Sequence, residues 1–471
     1  QAAVTRLVDM LIGAGLRLSS TPDPRALGFD PTDAAQRQVV RDLGKAIESE
    51  WRGVCNDPLK RFDAQRKLTP NGLWRLLGKT YATLNEVCAQ VAWRADGGGR
   101  YATCVLAIDP DRLSQPQGQP NLGRFRGGIE FDDFGAPIAY HVRNAHPSDW
   151  YLAQQGFTWS RIERTTAWGR PNFVHAFEPD REGQSRGMTP FAALVVRLRM
   201  IGRFADTELA SATVNALFAA FVQSNLPPHE VAQSLAPGAA INSSDKEPFW
   251  LKKRAEYHEG NRIQLGGVRI PVLPIGDEIK INAQPRQSGA FSAFQTSFLR
   301  SIAAAVGISY EQLSMDWSQT NYSSARAALN EVWRHITVML AGFTDQVVAP
   351  IFAAWLEEAF DRGYLVAPAG APDYWDAPGA YAAARWIGPP RGYVDPVKEA
   401  QAAALRMDSL VSTLQRECAE QGLDYEETLD QIAAEADELK ARGIERRALS
   451  RGEGDPQPQE VPEVATATPA P

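Results

Sequence analysis

The sequence predicts an α+β chain, on three observations. Apolar residues recur every three or four positions in several long stretches, the period of amphipathic helices. Between two groups of such stretches the period drops to two, as in half-buried strands. Late in the chain a polar stretch without glycine or proline, DWSQTNYSSARAALNEVW (Asp316–Trp333), runs directly into a long helical pattern. At 471 residues there is room for several structural units, since single cores seldom exceed roughly 250 residues. The apolar fraction of 44% and charged fraction of 22% are those of a folded chain rather than a disordered one.

In order, Val4–Leu16 reads as a helix closed by Gly13 and Gly15. Asp33–Cys55 reads as a second, with Val39, Leu43, Ile47 and Trp51 on one face, and Asn71–Ala92 as a third. Period-two patterning then covers Tyr101–Ile108, Gly127–Val142 with a hairpin turn at Asp133–Gly135, and Val174–Pro179. Gly187–Pro190 opens a helix expected to reach about Phe221, with a face of Leu194, Leu198, Ile201, Ala205 and Leu209 and a weak point at Gly202. Pro228–Pro285 is loop-rich, with proline in an edge-strand pattern. Ala290–Val306 is helical, and Ser324–Arg362 is a helical run that would span roughly 60 Å. Pro350 inside that run removes one backbone hydrogen bond and predicts a kink. A Pro/Gly/Ala-rich connector follows Gly363, a helical tail follows Asp395, and residues 451–471 have the composition of a disordered tail.

The chemistry-bearing residues do not converge. The net charge of −7 argues against a protein that grips nucleic acid tightly, because that requires Lys and Arg to replace counterions. Cys55, Cys88, Cys104 and Cys418 are far apart and are expected as free thiols, with no disulfide framework or metal site. None of the six histidines has metal-ligand spacing to another His or Cys; His141 reads as a hydrogen-bonded sheet residue and His335 as a packing or interface residue. Asp132–Asp133 reads as a hairpin tip, and Glu357–Glu358 as a solvated helix face. GLWRLLGKT (Gly72–Thr80) ends like a phosphate-binding loop, but that loop needs four residues between its glycines and here there are five bulky ones. An amphipathic helix packed closely at Gly78 is the better reading. Lys252, Lys253, Arg254 and Arg262 form a modest basic patch, either solvated surface or a site that docks an acidic partner or touches a phosphate backbone. No apolar run approaches a membrane span. The absence of an initiator Met at Gln1 is expected to reflect a missing or processed N-terminus. No enzyme activity, cofactor or metal is expected.

The order of elements is more informative, and it resembles the lambda-type portal proteins of tailed bacteriophages. Arg181–Gly187 is similar to that family's R-x-G-Q-x-R-G segment. Gly307–Arg326, GISYEQLSMDWSQTNYSSAR, is similar to its block G-x-x-Y-E-x-L-x-x-D-x-S-x-x-N-Y-S-S-A-R, and Asp133–His141, Trp386–Glu399 and the neighbourhood of Gly422–Tyr425 add further similarity. The resemblance implies the portal fold: residues 1–187 as wing, 188–224 as first stem helix, 225–288 as clip, 289–307 as second stem helix and 308–323 as tunnel loop. Residues 324–392 would be the long kinked wing helix and connector, and 393–450 the crown. It further implies a ring, usually of twelve subunits, at one capsid vertex of a virion assembled in the host cytoplasm. Double-stranded DNA would pass through the ring without sequence specificity. Its partners would be the terminase large subunit, head-completion and adaptor proteins, and major capsid and scaffold proteins, with no membrane.

On that resemblance Asp316, Trp317, Ser318, Gln319, Thr320, Asn321 and Tyr322 are the DNA-facing candidates. Trp317 and Tyr322 are expected to anchor the loop by packing, and Ser323 or Ser324 to cap the wing helix. Lys252, Lys253, Arg254 and Arg262 become candidates for motor or adaptor contact. A nucleotide-binding motor subunit, or another ring-forming channel or scaffold protein, is the competing reading.

Overall fold

Helix α1 (Ala2–Leu11) packs into the main hydrophobic core. Leu7, Val8 and Leu11 share one helical face and are at most 3% exposed. The computed structural model describes residues 2–217 and 289–443, apart from 96–97, 118, 120, 122, 153–154, 319 and 393–394, together with two short strands at 264–265 and 268–269. Most of the segment 218–288, including Lys252, Lys253, Arg254 and Arg262, lies outside the described residues, as does the tail 444–471.

Helix α2 (Ala34–Cys55) begins where its cap dictates: the Asp33 carboxylate accepts from the Ala35 N–H at 2.9 Å. Its buried face is Val40, Leu43, Ile47 and Trp51, so Val40 replaces the expected Val39. Helix α3 (Pro70–Leu84) is capped by Thr69, has Pro70 in its first turn and stops at Asn85, whose φ of 53° is left-handed. Gly72–Thr80 therefore lies within one helix. A Cβ on Gly78 would stand 2.9 Å from Ile12, so this glycine serves close helix packing.

The sequence carries the third helix to Ala92, whereas the structure turns Val87–Trp93 into strand β2. The reason is burial. Val87, Cys88, Ala89 and Val91 are all inside, and a strand covered on both faces shows no alternation. Around it form β1 (Arg17–Ser20), β3 (Thr103–Ile108), β4 (Phe125–Arg126), β5 (Ile129–Phe131), β6 (Pro137–Arg143), β7 (Trp159–Glu163) and β8 (Phe173–Ala176). Strand β2 is the centre of an antiparallel sheet ordered β3-β2-β8, and β4 to β7 form a second antiparallel sheet in chain order. The β5–β6 hairpin turns as expected: Asp132 accepts from the Phe134 and Ala136 N–H groups, and Gly135 has a φ of 84°. Strands β9 (Gln264–Leu265) and β10 (Val268–Arg269) pair with each other. Strand β11 (Ala384–Ile387) pairs antiparallel with β1, more than 360 residues away in the chain.

The later helices are α4 (Val195–Leu217), α5 (Gly289–Val306), α6 (Tyr310–Ser314), α7 (Tyr322–Phe343), α8 (Ala349–Asp361), α9 (Pro378–Tyr381), α10 (Pro396–Asp408), α11 (Leu414–Glu420) and α12 (Tyr425–Ala441). Between α7 and α8 the backbone makes a π-helical turn, Thr344–Val348. The irregularity thus falls just before Pro350, which sits in the first turn of α8. Proline has no N–H to offer the preceding turn, and a wider turn accommodates that loss.

By length and apolar composition alone, the continuous helix Ser323–Asp361 could cross a membrane, contrary to the expectation from sequence. Its most apolar 18-residue window has a mean hydropathy of 1.5 and is 33% buried. Here its C-terminal half is the middle of the main core. Ile351, Phe352, Trp355 and Leu356 are at most 1% exposed. Trp51 lies within 4.9–5.9 Å, centroid to centroid, of Phe62, Phe352, Trp355 and Trp386, which ties α2, α8 and β11 together. A second, smaller core packs Ile129, Phe131, Tyr140 and Val142 of the four-stranded sheet against Cys88, Ile108 and Phe173 of the three-stranded one.

Glu357 and Glu358, expected on a solvated face, are buried. Glu358 accepts from the backbone N–H groups of Ala102 (2.6 Å) and Thr103 (2.7 Å) and from Arg362 (2.6 Å), so it locks the start of β3 to α8. Glu357 accepts from the Trp168 indole at 2.9 Å. Glu358→Ala would strand two buried N–H groups. It is expected to lower unfolding free energy by about 3 kcal/mol, read from the urea midpoint; a loss within measurement error would show that this carboxylate does not hold the sheet.

Candidate functional site: a capped polar loop and an arginine hub

The segment Arg181–Gly187 ends in a hub. All five N–H groups of the Arg186 guanidinium find acceptors. Nε and Nη2 donate to the two oxygens of Glu86, Nη2 also to Pro110 O (2.9 Å), and Nη1 to Leu113 O (2.6 Å) and Gly127 O (3.1 Å). Glu86 is shared with His175 Nε2 at 2.7 Å. The hub therefore joins the end of α3, strand β8 and the turns before β4 and β5. Gln184 supports it by donating to Arg186 O at 2.8 Å. A Cβ on Gly187 would fall 2.1 Å from Asn85 O, so the chain passes this point only without a side chain.

Burial opposes the charge on Glu86, but hydrogen bonds from His175 and Arg186 outweigh it and hold the carboxyl below its usual value. Burial also pushes His175 below its usual value, against the pull of Glu86.

From this anchor the chain enters α4. Thr189 Oγ1 donates to Thr83 O at 2.6 Å, a 3-10 turn spans Ala192–Leu194, and regular helix starts at Val195, later than the expected 188. Thr189 is tied to the end of α3 by that side-chain bond, which holds the chain there before the helix begins. Helices α4 and α5 touch through Phe204 and Phe294, whose rings are 4.6 Å apart. Of the face expected on α4, Leu194 is buried, whereas Leu198 is 42% and Leu209 70% exposed.

The polar loop is built from turns and caps. Gly307, with a φ of 76°, ends α5 against the His335 ring, which a Cβ there would strike. Residues 310–314, expected as part of an open loop, form helix α6. Its capping box pairs Ser309 and Gln312 through side chain and backbone in both directions. Leu313 packs on the main core, and Gln312 reaches Met10 of α1. Met315, at a φ of 59°, closes α6. Asp316 accepts from the Ser318 N–H at 3.0 Å; hydrogen bonds from the Ser318 side chain and then its backbone hold the carboxyl below its usual value, so it stays charged. Thr320 N–H donates to Trp317 O at 3.1 Å.

Two expectations are corrected here. The cap of α7 is Asn321, whose side chain accepts from the Ser324 N–H at 2.8 Å; Ser323 and Ser324 already lie in the first turn, because an asparagine with extended backbone precedes them. Trp317 is 38% exposed, so Leu313 and Gln312, rather than this indole, fasten the loop. Asp316, Ser318 and Asn321 are exposed and Thr320 half-buried, while Gln319 lies outside the described residues and Tyr322 is placed only as the first residue of α7. Further on, Arg326 of α7 pairs with Glu399 of α10 at 3.0 Å.

Composition and patterning missed Glu86, His175 and Glu358. A signal for Glu358 was present: an acidic pair interrupting the apolar run Ala354–Phe360. Glu86 has no such signal, since its partners come from distant loops.

These parts describe a scaffold: a rigid α+β platform from which a helix pair and a fixed polar loop project. The phage portal protein description of the lambda family matches residues 1–339. The portal protein of Escherichia phage N15 is 32% identical over 437 residues, covering 93% of this chain and 81% of that protein. Portal protein B of Escherichia phage lambda is 30% identical over 437 residues, covering 93% and 80%. The chain belongs to the lambda family of phage portal proteins. The neck of an empty GTA particle, with C6 symmetry, contains a chain 15% identical with a TM-score of 0.38, covering 89% of both chains.

Two outcomes follow from the site's geometry. Asn321→Ala is expected to cost about 1 kcal/mol of helix stability and to speed amide exchange in the first turn of α7. Ser323→Ala should leave that exchange unchanged; the reverse pattern would move the cap back to serine. Folded His175 and Glu86 both bind protons less readily than the unfolded chain does. His175 therefore contributes stability above pH 6.5 that is lost as pH falls below it, and Glu86 adds a further loss in the carboxylate range. The denaturation midpoint should fall from pH 7 to pH 5, with a weaker fall in His175→Gln; equal falls would contradict the assignment.

Proposed function

We propose that this chain assembles as a closed ring at one capsid vertex of a tailed phage, twelve copies being the usual number in the family, and that double-stranded DNA is packaged and later ejected through its centre. Family membership supports the portal role. The structural observation that carries the ring is the exposed apolar surface on two sides of α4: Val196 and Met200 on one side, and Leu198 and Leu209 on the opposite side, are 42–70% exposed in the single chain. Apolar side chains left exposed on two sides of one helix offer a surface to a neighbouring copy on each side, as a closed ring requires.

In this reading residues 1–187 form most of the wing and 188–224 the first stem helix. Residues 225–288 are the clip that meets the terminase large subunit and later the head-completion proteins, through Lys252, Lys253, Arg254 and Arg262. Residues 289–307 are the second stem helix, 308–323 the tunnel loop, 324–392 the wing helix and connector, and 393–450 the crown. Scaffold and major capsid proteins surround the ring during assembly.

The loop's side chains suit passage without capture. Apart from Asp316 its exposed described side chains, Met315, Trp317, Ser318, Asn321 and Ser323, are uncharged, and each phosphate neutralised by a cation would deepen a trap along the path. Asp316, held ionised by Ser318, would repeat as a ring of negative charge that keeps phosphates from settling. Deleting Ser314–Tyr322 is expected to spare ring assembly, seen by electron microscopy, and to reduce DNA packaging or retention. Unimpaired packaging by the deleted ring would sink the tunnel assignment.

A further inference from the structure

Helix α12 is attached to the rest of the chain in an unusual way. It buries none of its residues, and its Leu429 and Ile432 remain exposed. What holds it is charge: Glu426 with Arg41 (3.1 Å), Glu427 with Arg17 (3.1 Å) and Arg52 (3.7 Å), and Asp430 with Lys45 (2.7 Å). Arg41, Lys45 and Arg52 share one face of α2, extending about 16 Å along its axis, and Arg17 on β1 adds to it. The segment just before α12 is fixed by contrast. Cys418 and Asp424 are buried, Asp424 caps α12, and a Cβ on Gly422 would crowd Pro390. The helix thus has a firm pivot and a charged, solvent-accessible contact.

Glu48 lies on the same face of α2, between Lys45 and Arg52, and accepts from the Ser20 N–H at 2.7 Å. Burial first, then Asp424 and Glu426, push its carboxyl up to about 7 against the Ser20 bond and Arg52. Below neutral pH Glu48 therefore adds little negative charge to the surface beneath α12, which carries Arg17, Arg41, Lys45 and Arg52. Three carboxylates on one helix occupy these cations as phosphates would.

We propose that α12 is a displaceable acidic cover over a cationic face of α2 and β1, and that the backbone of duplex DNA is the ligand of that face. The proposal rests on the portal reading only for the presence of DNA; the site itself is defined by the ion pairs. Exposed pairs of this kind are screened by salt, and a polyanion that releases its own counterions competes for the same cations. Binding would therefore depend steeply on ionic strength.

The test uses the assembled full-length protein and a short fluorescent DNA duplex of mixed sequence, read by anisotropy at low and high salt. Glu426→Gln, Glu427→Gln and Asp430→Asn together remove the cover's charge. Glu435→Gln, Asp437→Asn and Glu438→Gln make the same change in net charge further along α12, away from the wing cations. The first variant is expected to bind the duplex on the order of tenfold more tightly at low salt, the second much less so. Adding Arg41→Glu and Lys45→Glu to the first should abolish the gain. Equal tightening in both variants, no tightening in the first, or a gain that survives loss of Arg41 and Lys45 would overturn the proposal. In the unmodified protein, amide exchange in α12 should quicken when duplex is added. An unchanged rate would overturn it independently of whether any variant folds. Images of the same samples report ring formation separately, so a failed portal reading would not be mistaken for a failed cover.

Discussion

Arg186 is the interaction on which the arrangement depends. Its fork is filled by one carboxylate and three backbone carbonyls from two turns, Pro110–Leu113 and the turn at Gly127, so its position ties both turns to the end of α3 just before the chain enters α4. A lysine could not satisfy that geometry, having three donors on a rotating head. Glu86 is the necessary counter-charge, because an unpaired guanidinium among these carbonyls would be costly to desolvate. The neighbouring Gly187 is then forced, since the chain must leave the hub through a gap already filled by the Asn85 carbonyl.

The rest of the platform serves the same rigidity. Helix α8 carries the aromatic cluster around Trp51 on one side and presents Glu358 to the backbone of β3 on another, so the long helix cannot slide without breaking both. The π turn before Pro350 lets this buried half continue into the more exposed α7. The polar loop is thereby held at both ends by well-anchored elements: α6 on the core side through Leu313, and α7 on the other through Asn321. The block Gly307–Arg326, recognisable as sequence, is largely a set of devices for this purpose: a left-handed glycine, a capping box, an Asx turn and a helix cap.

How much of this could be read beforehand depended on whether the determinant was local. The start of α2 at Asp33, the β5–β6 hairpin and the packed glycine in α3 were legible, because caps, turns and helical period are written in neighbouring residues. Strand β2 was not, since burial on both faces erases its alternation, and β1 with β11 was not, since its pairing joins opposite ends of the chain. The polar loop was found through its resemblance, but its cap was misplaced by two or three residues, because Asn321, Ser323 and Ser324 are all good capping types and only backbone geometry decides among them. Glu357 and Glu358 were misread for a related reason: paired carboxylates on a helix are ordinarily solvated, and their acceptor role depends on Ala102, Thr103 and Trp168 arriving from elsewhere.

A reconstruction of the purified, assembled protein by cryo-electron microscopy tests the central claim most directly. The account predicts a closed ring in which the exposed α4 residues Leu198 and Leu209 are buried against a neighbouring copy, and in which Asp316 to Asn321 line the central opening. A ring with that loop on its outer surface, or a protein whose α4 face stays open to solvent in the assembled state, would contradict it.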